Sequence, residues 1–113
     1  MSQTIRPGAG EYSPDRRWTV GGKYLLHFTA RGNLELWNTE TQRLLWQSET
    51  ADAVKLAMQE DGNLVIYAEG EKPLWAAHTH GNSGAFLAVQ EDGNLVIYSR
   101  DLHPLWSSNT SGG

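Results

Sequence analysis

The chain reads as one all-β domain built from three similar antiparallel units, with no helix, and three observations predict this. A nonapeptide, Gln-Glu-Asp-Gly-Asn-Leu-Val-Ile-Tyr, occupies 59–67 and recurs without change at 90–98. In both copies Asp-Gly lies beside branched apolar runs, a strong local signal for a tight hairpin. No useful window carries an apolar i, i+3, i+4, i+7 stripe free of glycine and turn residues, so helix is disfavoured throughout.

The repeat extends beyond the nonapeptide. Pro73, Leu74, Trp75 and Thr79 recur 31 residues later as Pro104, Leu105, Trp106 and Thr110. A weaker copy precedes both: Gly32-Asn33-Leu34 stands 30 residues before Gly62-Asn63-Leu64, and Leu45-Trp46 with Thr50 reproduces the Leu-Trp-x-x-x-Thr ending. A single domain over 1–113 therefore holds three repeats, approximately 20–50, 51–80 and 81–111. Units of this length cannot bury their own apolar face and must share a core. One domain of 113 residues can bury roughly two-thirds of its unfolded surface.

Each repeat is expected to run strand, turn, strand, then a second turn and a short tryptophan-bearing strand. The second turns are Glu69–Pro73 and Ser99–Pro104, rich in residues that punctuate strands. Nine strands are accounted for before residues 1–20 are considered. Period-2 alternation turns Leu56, Met58, Leu64 and Ile66 inward in the second repeat, and Leu87, Val89, Leu95 and Ile97 in the third. Leu26, Phe28, Leu34 and Leu36 play this part in the first. Trp46, Trp75 and Trp106 recur once per unit, so they are expected to meet near a threefold pseudo-axis and fill the centre.

Composition excludes several function classes. There is no cysteine, hence no disulfide, thiolate metal site or thiol nucleophile. The net charge of −4 comes from scattered residues without a basic stripe, which disfavours nucleic acid. No segment approaches the ~20 apolar residues of a membrane span. The N-terminal stretch lacks the apolar core of a signal peptide, so the expected location is cytoplasmic, or outside the cell by a non-classical route. His78-Thr79-His80 would set two imidazoles on one face of a strand but has no evident third ligand, so no metal and no cofactor is expected. Asp61 and Asp92 belong to different units, too far apart for a glycosidase pair, and no catalytic residue is expected. Asn109-Thr110-Ser111 is a glycosylation sequon without a secretory route. Gly112-Gly113 reads as a flexible end.

The outward face carries the chemistry. Alternation leaves Gln59, Val65 and Tyr67 there, with Asp61 and Asn63 at the hairpin, and Gln90, Asp92, Asn94, Val96 and Tyr98 form a second set. The carboxylate accepts, the amides donate and accept, and the phenol does either, a combination that pairs adjacent hydroxyls of a polyol. Valine offers apolar contact to ring carbons. Turn geometry alone would account for Asp-Gly-Asn, but not for the outward Gln, Val and Tyr.

The two copies of Gln-x-Asp-x-Asn-x-Val-x-Tyr, with the endings LWQSET, LWAAHT and LWSSNT, resemble the monocot, or bulb-type, mannose-binding lectins of the snowdrop kind. The resemblance implies a β-prism II fold, three four-stranded antiparallel sheets around a pseudo-threefold axis, and metal-free binding of mannose and mannose-rich glycans. By it, Gln59, Asp61, Asn63 and Tyr67 would bond the axial O2 and its neighbours, with Val65 on the ring. Gln90, Asp92, Asn94, Val96 and Tyr98 would form the second site. It also implies a homodimer formed by exchanging the C-terminal strand near Leu102–Thr110. In the first repeat the motif positions read Thr29, Arg31, Asn33, Glu35 and Trp37, a degenerate site expected not to take mannose. The disulfide of plant members is absent. A toxin or defence protein on the same scaffold, or a non-binding interaction scaffold, are the alternative function classes.

Overall fold

The computed structural model describes residues 3–5 and 11–113. Among them lie twelve strands and no helix: β1 (Gln3–Ile5), β2 (Glu11–Tyr12), β3 (Arg16–Val20), β4 (Tyr24–Phe28), β5 (Leu34–Asn38), β6 (Arg43–Gln47), β7 (Ala53–Met58), β8 (Leu64–Ala68), β9 (Lys72–Ala76), β10 (Phe86–Val89), β11 (Leu95–Tyr98) and β12 (Pro104–Ser107). They form three four-stranded antiparallel sheets, in the orders β3-β4-β5-β6, β2-β7-β8-β9 and β1-β10-β11-β12. Each repeat supplies three consecutive strands. The fourth comes each time from the first twenty residues, which the repeat pattern left unassigned.

The hairpin of each motif is a three-residue loop. Gly62 N donates to Gln59 O at 3.0 Å and Gln59 N to Asn63 O at 2.9 Å, which closes the turn around Glu60-Asp61-Gly62. Gly62 sits at φ 92° with a hypothetical Cβ 2.2 Å from the Asn82 carbonyl oxygen, so both backbone conformation and close approach demand glycine. The same hydrogen bonds recur at Gln90, Gly93 and Asn94.

Alternation sorts the faces as expected. All twelve inward side chains named above are buried at 0–2% exposure and belong to one cluster with Ile5, Trp18 and Val20. Each contributes on the order of 2 kcal/mol of burial. Pairing between the second and third strand of each unit slips at Leu36/Trp37, Ile66/Tyr67 and Ile97/Tyr98. These bulges twist the edge strands β6, β9 and β12, two of which also carry proline, where an unpaired edge tolerates it.

Trp46, Trp75 and Trp106 meet edge to face, with centroids 5.3–5.6 Å apart. They are only partly buried and pack against the core, so they cap the centre that leucine and isoleucine fill. Gly112-Gly113 is not loose. The Gly113 carbonyl accepts hydrogen bonds from Tyr24 Oη at 2.9 Å and Asn38 Nδ2 at 3.1 Å, tying the third repeat to the first sheet.

Candidate functional site

Register places the second motif on the outer face of its sheet. Lys55, Ala57 and Gln59 run along β7 and its end, opposite Tyr67, Val65 and Asn63. Gln59 Nε2 donates to the Tyr67 hydroxyl, and this bond spans the Ala57–Val65 pair. That explains a departure from expectation: Val65 points away from the core but is only 3% exposed, and Val96 matches it. The valine forms the floor of the site, beneath a polar bridge. Gln90 Nε2 and the Tyr98 hydroxyl make the same bridge in the third repeat.

The hairpin residues divide between support and open chemistry. Asp61 Oδ1 accepts from Asn63 N at 2.9 Å, which orients the carboxylate and leaves Oδ2 without a protein donor among the described residues. Asn63 Oδ1 accepts from Thr79 N at 3.1 Å, while Thr79 Oγ1 donates to Gly62 O at 2.6 Å. The asparagine carbonyl is therefore a brace between hairpin and following loop, and only its NH2 stays open. The third repeat repeats this brace through Asn94 Oδ1 and Thr110, with added donors from Ser107 and Ser108 Oγ at 3.0 and 3.1 Å. Ser111 Oγ donates to Asp92 Oδ2 at 3.3 Å, a partner Asp61 lacks.

The first repeat keeps the brace and loses the rest. Asn33 Oδ1 accepts from Thr50 N at 3.0 Å, but Asn33 Nδ2 donates to Glu35 Oε2 and Gln47 Oε1, both at 2.9 Å. Trp37 Nε1 donates to Glu35 Oε1 at 2.9 Å. Thr29 Oγ1 is drawn to the turn, accepting from Asn33 N at 3.1 Å, and Arg31 is exposed. The asparagine NH2 that stays open in the other repeats is here paired with Glu35 and Gln47.

Persistence of Asn33 and Thr50, where the other motif residues are replaced, is the sequence signal that separates the brace from the rest of the motif. Sequence reasoning missed Lys55, whose Nζ lies 4.8 Å from the Tyr67 ring centroid. Its signal was the first charge difference upstream of the two identical nonapeptides, Lys55 against Phe86. A two-oxygen hydrogen bond to Glu71, at 2.9 and 3.0 Å, holds the Lys55 ammonium above the ordinary lysine range. His78 and His80 lie in the exposed loop beyond β9 instead of on a strand, and His78 adopts φ 61°. No group of three or more His, Cys, Asp or Glu able to hold a metal forms among the described residues.

No protein-family model matches the chain, and neither does any curated protein sequence. Solved structures do. A lectin described as the Japanese Marasmius oreades lectin superposes with a TM-score of 0.86 at 26% identity, covering 96% of this chain and 92% of its own. A monomeric monocot mannose-binding lectin from Gastrodia elata gives 0.82 at 30% identity, over 96% and 97%. The mannose-specific agglutinin of snowdrop (Galanthus nivalis) bulbs, solved with methyl α-D-mannoside, gives 0.75 at 28% identity, over 97% and 98%.

Proposed function

Because the chain belongs to the monocot mannose-binding, or bulb-type, lectin family, we propose that it is a non-enzymatic lectin binding mannose and mannose-rich glycans at two sites, without metal or cofactor. One observation carries this reading: the quartet Gln59, Asp61, Asn63 and Tyr67, repeated as Gln90, Asp92, Asn94 and Tyr98, lies over a valine floor on two sheets, and its counterpart in the first repeat, on the β3-β4-β5-β6 sheet, is closed by internal hydrogen bonds.

A hexose with an axial hydroxyl meets complementary partners here. The aspartate Oδ2 accepts from a sugar hydroxyl, the asparagine NH2 donates to one, and the glutamine carbonyl and tyrosine O–H take one more of each sense. When Gln59 releases Tyr67, or shares it with the ligand, the Ala57–Val65 floor opens to the apolar edge of the ring. Because the carboxylate is pre-oriented by Asn63 N, little ordering is left for binding to impose. A shallow site of this kind is weak alone. Two per chain suffice to bridge glycans, and joint engagement raises avidity by about 10²–10⁴ where geometry permits.

Calorimetric titration tests the reading. Methyl α-mannoside should bind with a stoichiometry near two per chain, galactose should not bind, and the Asp61→Asn, Asp92→Asn double variant should give no mannose heat. Silence of the wild type toward both methyl mannoside and an oligomannose would assign the fold another role here. Dimerisation by strand exchange requires β12 to leave β11 of its own chain, where Val96, Ile97 and Tyr98 pair with Ser107, Trp106 and Pro104, for β11 of a second copy. Sedimentation equilibrium decides between that dimer and a monomer.

A further inference from the structure

The two motif copies are identical over nine residues but differ in what flanks the tyrosine. Next to Lys55 lies a cavity of about 530 Å³, bounded by Glu11, Tyr12 and Ser13, by Val54 and Lys55 on β7, and by Glu69 and Glu71 at the β8–β9 turn. That volume lies within the range of roughly 300–1,000 Å³ typical of small-molecule sites. Lys55 connects it to the motif: its Nζ lies over the Tyr67 ring, bonds Glu71, and is 3.8 Å from Glu11 Oε2. In the third repeat the matching positions read Phe86 for Lys55, Arg100 for Glu69 and Leu102 for Glu71. There Phe86 packs against Tyr98 at a centroid distance of 5.8 Å and is 7% exposed. The flank of Tyr98 thus offers an apolar ring where that of Tyr67 offers a charged, hydrogen-bonding hollow.

We propose that the cavity beside Lys55 is a second subsite, which takes the neutral hexose unit adjoining the one held by the 59–67 motif, and that the 90–98 site lacks such a subsite. The inference rests on the lectin reading above. Its chemistry follows from the lining: Glu11 and Glu71 accept from hydroxyls, and Lys55 donates to ring or hydroxyl oxygens. Three carboxylates against one ammonium repel sialylated or phosphorylated sugars, so the preferred extension is uncharged. The two sites then sort glycans by length, the second-repeat site preferring an extended chain and the third-repeat site a terminal unit.

Single-site proteins give the test. Asp92→Asn leaves the second-repeat site and Asp61→Asn leaves the third, and each is titrated with methyl α-mannoside and an α-linked mannobiose. The ratio of disaccharide to monosaccharide affinity should be about tenfold larger at the second-repeat site. Adding Lys55→Phe to Asp92→Asn should bring that ratio down to the third-site value. Glu71→Gln supplies a second measurement that leaves packing alone, because Glu71 is exposed and glutamine already occupies the matching left-handed position at Gln42. It should lower the ratio severalfold. Equal ratios at the two sites, or a ratio indifferent to both substitutions, overturn the subsite while the lectin reading stands. Absence of binding by either ligand at either site overturns both.

Discussion

Asn33 Nδ2 donates a 2.9 Å hydrogen bond to Glu35 Oε2, and this pair stands at the motif positions where the other two repeats carry asparagine and valine. The first site is thus closed by one side chain satisfying another. Replacing Thr29, Arg31, Glu35 and Trp37 by Gln, Asp, Val and Tyr, together with Gln47→Ala to release the second bond to Asn33 Nδ2, removes the closure and installs the motif of the other repeats. The calorimetric stoichiometry for methyl α-mannoside should rise from two to three per chain; a value that stays at two would show that the loops around the first sheet, and not the motif, block it.

The asparagine brace should be a stability element in all three repeats, including the one without an open site. Asn63→Ala strips Thr79 N, on a residue only 4% exposed, of its acceptor. Leaving a buried donor unpaired costs about 1–3 kcal/mol, which lowers the melting temperature on the order of 5–10 °C. Asn33→Ala should do at least as much, since Asn33 also donates to Glu35 and Gln47. Thermal melts of the two variants settle it: an Asn33→Ala protein as stable as wild type would refute the brace.

Gly62 and Gly70 separate conformational strain from collision. Both have positive φ, 92° and 80°, but a Cβ on Gly70 meets nothing within 4 Å, whereas one on Gly62 strikes the Asn82 backbone. Gly70→Ala should cost about 1 kcal/mol, from the left-handed conformation alone. Gly62→Ala should cost more than about 3 kcal/mol, because Asn82 must move and lose its 3.0 Å bond to Asp61 O. Urea denaturation measures both. Equal costs would mean that the segment after Thr79 yields freely.

Acid sensitivity should have a traceable component at Asp15. Its carboxylate accepts from His27 Nε2 and Arg17 Nη1, each at 3.1 Å, and the His27 bond foremost holds its pKa below the usual carboxylate range. A depressed folded-state value stabilises the fold above the ordinary carboxylate pKa of about 4, and the benefit is lost as pH falls through the depressed value. Melting temperatures of wild type and Asp15→Asn should therefore converge below about pH 4 and differ modestly at pH 6, since the group is exposed. A constant difference across that interval would remove Asp15 from the acid response.

Alternation and repetition made the core and the motif readable in the sequence, because both follow from local periodicity and burial. Leu56 and Ile66 face inward for the same reason that Gln59 and Tyr67 face outward. Two things were not readable. Gln3–Ile5 and Glu11–Tyr12 are too short and too polar to announce themselves as strands; only their partners β10 and β7 make them so. The low exposure of Val65 depends on a side-chain bond between Gln59, just beyond β7, and Tyr67 on β8, which no pattern along one strand encodes. The division of labour within the motif was readable in principle, since Asn33 and Thr50 survive where the other motif residues do not.

The way the first twenty residues are shared among the sheets bears on how the protein acquires its structure. Gln3 pairs with Val89 and Glu11 with Ala57, while Arg16 pairs with nearby Phe28. In a solenoid each repeat can form against its neighbour alone, whereas here two of the three units lack an edge until a distant segment arrives. Loop closure over such separations must be met before pairing returns anything, which slows folding of β topologies. A ribosome that has made only two repeats therefore holds a chain whose earliest strand has no partner, with an open sheet edge vulnerable to association until the third repeat emerges.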